Sequence, residues 1–194
     1  MLTDVGTAFL GAGYLLLAVF VVVERRLRKT GEARSLSGGT SDGGTTSLVG
    51  FAFGAGILLP PILDELSIGT YSIDVLVGLV ALAAMLLGLS LRVWAALTLG
   101  AYYTRTLVTS TGQRVVDDGP YGAVRHPGYL GATVMWSGFG VLSGNEILAL
   151  VLPVTFLAVY IYRIGFEERM LVNELGAPYV EYQKRSKRLI PGIY

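Results

Sequence analysis

The chain has 194 residues, 53% of them apolar and only 15% charged, with a net charge of +1, no cysteine and a single histidine. Its mean hydropathy of +0.60 belongs to the integral-membrane class, and its length suits one membrane domain over 1–194. The charge balance gives no reason to expect a nucleic-acid partner, the lack of cysteine excludes disulfides and thiol chemistry, and one histidine without a carboxylate cluster beside it argues against a transition-metal site.

A helix needs roughly 20 apolar residues to cross the hydrocarbon core of a bilayer. Val5 to Val23 meets that length and stops at Glu24-Arg25-Arg26-Leu27-Arg28-Lys29. No basic residue or small-residue cleavage site fits a secretory signal there, so this run reads as a retained anchor. From Ser35 to Ser47 the chain is rich in Ser, Gly and Thr, which predicts a flexible loop. A second span is expected from Leu48 to Leu63, and a third starts near Ile73 and stays helical in character to about Tyr103. A polar loop from Thr104 to Arg125 follows. The fourth and fifth spans, Pro127 to Leu142 and Ile147 to Ile164, are joined by Ser143-Gly144-Asn145-Glu146 and predict a tight hairpin. Gly176 reads as a helix stop, and Pro178 opens a short basic amphipathic segment lying along the membrane surface. The expected fold is therefore an all-α integral membrane protein with five transmembrane helices. Residues 1–104 form three N-terminal spans, and 105–194 form a hairpin half with an interfacial tail.

Basic residues orient the chain. With the first loop in the cytoplasm, all 15 Lys and Arg fall in cytoplasmic loops, the tail, or helix ends facing that side. The opposite turns carry Asp64, Glu65 and Glu146. The positive-inside rule then puts the N-terminus outside and the C-terminus in the cytoplasm.

That topology gathers polar groups at one membrane surface. His126 precedes Pro127, which suits the first turn of a helix, so the imidazole stands beside the open backbone N–H groups of the fourth span. It is suited to gripping a polar ligand end, or simply to capping the helix. Arg163 and Glu167 are four residues apart and share a helical face. They fit one anionic and one cationic reactant, because a guanidinium fork matches a carboxylate, or they form an interfacial salt bridge. Arg163 follows an apolar run directly, and ionisable groups at membrane depth tend to be functional. Tyr121, Tyr129, Tyr102 and Tyr103 add aromatic faces, the last two in the manner of an interfacial belt. Gly50-x-x-x-Gly54 and Gly140-x-x-x-Gly144 suit close helix packing.

Taken in order, Tyr121, then Arg125-His126-Pro127-Gly128-Tyr129 and Gly131, then Arg163 with Glu167-Glu168, then Gly176, Tyr179, Tyr182 and Ile190-Pro191 resemble the isoprenylcysteine carboxyl methyltransferase family. The likeness covers roughly the C-terminal half and looks close to a prokaryotic or archaeal member, within a superfamily that also holds phospholipid methyltransferases. It implies a membrane enzyme that uses S-adenosyl-L-methionine, yielding S-adenosyl-L-homocysteine, to esterify the carboxylate of a prenylated cysteine at the cytoplasmic face. It further implies a cytoplasmic cofactor site in the C-terminal half, formed by Gln113, Arg114, Val115 and Val116, by Tyr121, by His126, Pro127, Gly128 and Tyr129, and by Glu167 and Glu168. Arg163 falls on the substrate side, and Arg163 with Glu167 are the implied catalytic pair. Many eukaryotic members carry His where this chain has Gln113. Rival readings are a phospholipid N-methyltransferase, an NADPH-dependent lipid reductase and a non-catalytic membrane scaffold.

Overall fold

The computed structural model describes residues 4–27, 43–103 and 114–194. The described residues form six α-helices: α1 (Asp4–Leu27), α2 (Thr45–Glu65), α3 (Val75–Leu99), α4 (Pro127–Leu142), α5 (Glu146–Leu175) and α6 (Ala177–Arg185). Single 3-10 turns cover Gly100–Tyr102 and Gly119–Gly122. Four helices, α1, α2, α3 and α5, are long and apolar enough to cross a membrane. Their outward faces carry large exposed apolar side chains such as Leu58, Leu87 and Leu150, as expected where lipid rather than water is the solvent. The protein is an integral membrane protein.

Helix α4 differs from the rest. It has 16 residues, fewer than the others that meet the length of a span, and it is the most enclosed. Met135, Trp136, Phe139 and Leu142 on it are fully buried. Its glycines permit that enclosure. A Cβ on Gly138 would lie 2.5 Å from the Ala81 carbonyl oxygen of α3, and one on Gly140 would lie 2.7 Å from the Leu148 carbonyl oxygen of α5. Trp136 stacks on Phe156 of α5 at 4.5 Å between ring centroids and meets Phe53 of α2 edge-on at 4.6 Å. The expected close packing thus holds for Gly140. It does not hold for Gly50 and Gly54, where an added Cβ would meet nothing within 4 Å. Gly144, with φ of 64°, serves the turn between α4 and α5.

Several boundaries move from the sequence-based expectation. Residues 35–42 of the predicted loop lie outside the described residues, but Thr45, Thr46 and Ser47 are the first turn of α2. Helix α1 continues past Val23 to Leu27, and Glu24 is buried rather than a stop signal. Helix α3 ends at Leu99, where Gly100 takes a φ of 56°. Helix α5 runs on to Leu175, and Gly176 ends it with a φ of 61°, as expected. At the end of the bundle away from α6, Asn145 caps α5 by accepting from the Leu148 N–H at 3.1 Å. The same side chain donates to the Ile68 carbonyl at 2.6 Å, tying the two acidic turns together.

Candidate functional site

At the other end of the bundle the helices part around a cavity of about 630 Å³, a size that suits a small-molecule ligand. Its walls come from both halves of the chain. Phe20, Val21 and Glu24 of α1, with Val49, Gly50 and Phe53 of α2, form one side. Arg114, Val115, Val116 and Tyr121 from the chain before α4, with His126, Gly128, Tyr129, Arg163 and Glu167, form the other. Gln113 lies outside the described residues. Pro127 is buried at the first position of α4 and is not on the wall.

A chain of hydrogen bonds crosses the cavity wall. The Arg163 Nε–H donates to the Tyr129 phenol oxygen at 2.8 Å, and that phenol donates to Glu167 Oε2 at 2.7 Å. Tyr129 thus links a guanidinium to a carboxylate on the next turn of α5. Its ring is fixed by stacking on Tyr160 at 4.7 Å and lies parallel to His126 at 5.7 Å. His126 Nδ1 stands 3.8 Å from Glu167 Oε2. Arg163 is only 4% exposed, so an anion reaching it gives up its water.

Glu168, one residue on, does different work. Its Oε1 accepts from Arg125 Nε at 2.7 Å and lies 3.4 Å from His126 Nε2, while Oε2 accepts from Arg188 Nε at 2.9 Å. Arg125 also donates to the carbonyls of Gln183 and Ser186. Backbone bonds from Arg125 N–H to the Lys187 carbonyl at 2.7 Å and from His126 N–H to the Arg188 carbonyl at 3.0 Å lay the chain before α4 alongside the tail. Glu168 lies behind the cavity wall and joins α5, the His126 turn and the C-terminal segment. The structure brings Arg163, Tyr129, His126 and Glu167 together and sets Glu168 outside that group.

Sequence reasoning missed other contributors. Thr45 and Thr46 accept from Arg163 Nη1 at 2.9 and 3.1 Å. Arg92 of α3 pairs with Glu24 at 2.7 Å and donates to the Gly128 carbonyl at 2.9 Å. Tyr103, expected in an interfacial belt, donates to Glu24 at 2.5 Å. A lone arginine inside an apolar helix is the signal that could have found Arg92. Nothing local marks the threonines.

Around the rim, burial raises the phenol pKa of Tyr121 and of Tyr179, reinforced in both by Glu167. Burial likewise pushes Tyr182 up to about 12. These phenols stay neutral, and that of Tyr182 donates to the Tyr121 carbonyl at 2.6 Å. Among the described residues no group of three metal-ligating side chains occurs.

A sequence model of the isoprenylcysteine carboxyl methyltransferase family matches residues 79–173. The chain is 31% identical over 114 residues to protein-S-isoprenylcysteine O-methyltransferase B of Arabidopsis thaliana, covering 58% of this chain and 58% of that protein. It is 32% identical over 91 residues to the delta(14)-sterol reductase TM7SF2 of Mus musculus, covering 46% of this chain and 22% of that one. The chain therefore spans less than two thirds of the length of these curated relatives. A solved structure of a eukaryotic intramembrane Ras methyltransferase of the same family superposes with a TM-score of 0.57 at 24% identity, covering 75% of this chain and 52% of that one. That likeness concerns the fold. The wall residues Tyr129, Arg163 and Glu167 lie inside the stretch over which the chain is similar to the isoprenylcysteine carboxyl methyltransferase family.

Proposed function

We propose that the protein is an S-adenosyl-L-methionine-dependent carboxyl methyltransferase that esterifies the carboxylate of a prenylated cysteine, or a similar lipidated acceptor, at the cytoplasmic membrane face. The observation that carries this reading is the Arg163–Tyr129–Glu167 chain on the cavity wall. It holds a cation suited to a carboxylate acceptor next to an anion suited to a sulfonium.

The donor set fits the cofactor. Glu167 offers a carboxylate, Tyr129, Tyr160 and His126 offer ring faces, and 114–116 offer backbone at the rim of the same cavity. A sulfonium is attracted both to carboxylates and to aromatic faces. When bound, the cofactor supplies an already activated methyl group, so the protein needs no strong base. Arg163 receives and orients the acceptor carboxylate, and its burial strips water from that group. Glu167 balances positive charge and is itself aimed by the Tyr129 phenol. The apolar wall of Phe20, Val49 and Phe53 receives the lipid chain from the bilayer.

In this reading α4 is a fifth crossing between α3 and α5. Its 16 residues span about 24 Å at a rise of ~1.5 Å per residue, short of the ~30 Å core and matched by thinning at the cavity. The N-terminus is outside and the cavity opens to the cytoplasm, in keeping with the positive-inside rule.

The test is methyl transfer from labelled cofactor to prenylated thiols and to phospholipids, beside calorimetric binding of S-adenosylhomocysteine and NADPH. Esterification of prenylcysteine carboxylates with S-adenosylhomocysteine binding is expected, and Arg163→Ala and Glu167→Ala each abolish transfer while the protein still folds. NADPH binding alone would replace this reading with a reductase. Methylation of ethanolamine lipids by Arg163→Ala would replace it with a phospholipid N-methyltransferase.

A further inference from the structure

The start of α2 is built against α5 at the level of Arg163. Gly43 and Gly44 both have left-handed φ, 57° and 77°, and a Cβ on Gly43 would lie 2.4 Å from the Phe166 ring. Only a glycine lets the backbone approach so closely in that conformation. The N-cap of α2 is Gly44, with no side-chain cap. Threonines in a first turn commonly serve their own helix. Here Thr45 and Thr46 reach across to another helix. Thr45 is 0% exposed and Thr46 4%, and both hydroxyl oxygens accept from the same Arg163 Nη1.

The guanidinium is thereby held on two edges. Tyr129 takes its Nε–H, and the threonine pair takes Nη1. An arginine side chain has many rotamers, and a ligand must otherwise remove that freedom on binding. Thr46 also stands on the cavity wall, so the clamp is part of the surface that an acceptor meets. We infer that Thr45 and Thr46 are positioning residues for Arg163, presenting a pre-oriented guanidinium that lets the site select a carboxylate acceptor over its neutral analogue. This inference rests on the methyltransferase reading above and adds to it a role for α2, which lies outside the stretch matched by the family.

The experiment uses the full chain in lipid nanodiscs and a matched pair of probes, N-acetyl-S-farnesylcysteine and its carboxamide. Binding of each is titrated for wild type, for the double variant Thr45→Val/Thr46→Val and for Thr45→Ser/Thr46→Ser, together with S-adenosylhomocysteine affinity and thermal unfolding. The valine pair keeps shape and removes the hydroxyls. Its preference for carboxylate over carboxamide is expected to fall by about tenfold, as for the loss of an orienting charge-assisted hydrogen bond. S-adenosylhomocysteine affinity stays within about twofold, and the serine pair restores the preference. Should the valine pair not fold, Thr46→Val alone is read by the same criteria. An unchanged carboxylate preference in the valine variant, or a proportional loss of both affinities, overturns the assignment. A wild-type protein that binds neither S-adenosylhomocysteine nor the carboxylate probe instead overturns the methyltransferase reading, so the two failures are distinct.

Discussion

Gly88 of α3 and Gly131 of α4 face each other so closely that neither tolerates a methyl group. A Cβ on Gly88 would lie 2.4 Å from the Gly131 carbonyl oxygen, and one on Gly131 would lie 2.5 Å from the Gly88 carbonyl oxygen. Both obstacles are backbone, so no side chain can swing aside. One turn after Gly88, Arg92 grips the Gly128 carbonyl. The crossing therefore sets the height of the turn that holds His126 and Tyr129.

Gly88→Ala is expected to push α3 and α4 apart and to destabilise the protein by about 1–3 kcal/mol, the usual cost of overpacking. Loss of S-adenosylhomocysteine binding should accompany it, because the His126–Tyr129 turn moves with α4. Gly54→Ala is the control, since open space surrounds its would-be Cβ and it is not on the cavity wall. Thermal unfolding in detergent with ligand titration reads both effects. An unperturbed Gly88→Ala protein would refute the tight crossing.

Neighbouring carboxylates on α5 should separate cleanly on mutation. The Glu168 side chain is 5% exposed and faces Arg125, His126 and Arg188, whereas Glu167 is 24% exposed and on the cavity wall. Removing one member of a buried ion pair strands the other charge and costs about 3–5 kcal/mol. Glu168→Gln is expected to lower the unfolding temperature strongly and to free the 186–194 tail to proteolysis. Glu167→Gln should leave unfolding nearly unchanged while abolishing turnover. Equal stability of the two variants would contradict this division.

Much of this arrangement was legible in the sequence because it is local or helical. The apolar runs set the long helices, Gly176 and Pro178 marked the break between α5 and α6, and a four-residue spacing put Arg163 and Glu167 on one face. What stayed hidden depends on distant segments meeting. Thr45 and Thr46 sit in a Ser/Gly/Thr-rich run whose composition argues for a loop, and only docking on α5 makes them helical and buried. Glu168 and Glu167 are indistinguishable as neighbours in sequence until the tail folds back to place Arg188 against one of them. Gly50-x-x-x-Gly54 matches a packing motif, yet it borders a cavity and open space, while Gly88 and Gly131, two of the glycines in tight contact, are on different helices and form no motif.

The buried phenol of Tyr182 predicts a loss of stability in alkali. A tyrosine in the unfolded chain loses its proton near pH ~10, whereas in the folded protein the value is about 12. Below the first of these both states hold the proton and the stabilisation is complete. Above it the unfolded state binds fewer protons, so stability falls as pH rises through the window up to the folded value. Tyr121 and Tyr179 shift in the same direction. The unfolding temperature should therefore drop with rising pH in that window, and less steeply in Tyr182→Phe. Identical slopes in the two proteins would rule out this contribution from Tyr182.

Tyr129→Phe isolates the relay between Arg163 and Glu167. The ring and its stacking on Tyr160 remain, and only the hydroxyl that accepts from Arg163 and donates to Glu167 is lost. Hydrogen bonds to charged groups contribute about 1.5–3 kcal/mol, which corresponds to a fall in rate of roughly tenfold to a hundredfold. The loss should appear mainly in kcat, because Arg163 keeps its threonine partners while the carboxylate of Glu167 is no longer aimed. Steady-state kinetics with a prenylcysteine acceptor, beside S-adenosylhomocysteine titration, separates the terms. If the phenylalanine variant turns over at the wild-type rate, the phenol merely fills space and the relay has no part in methyl transfer.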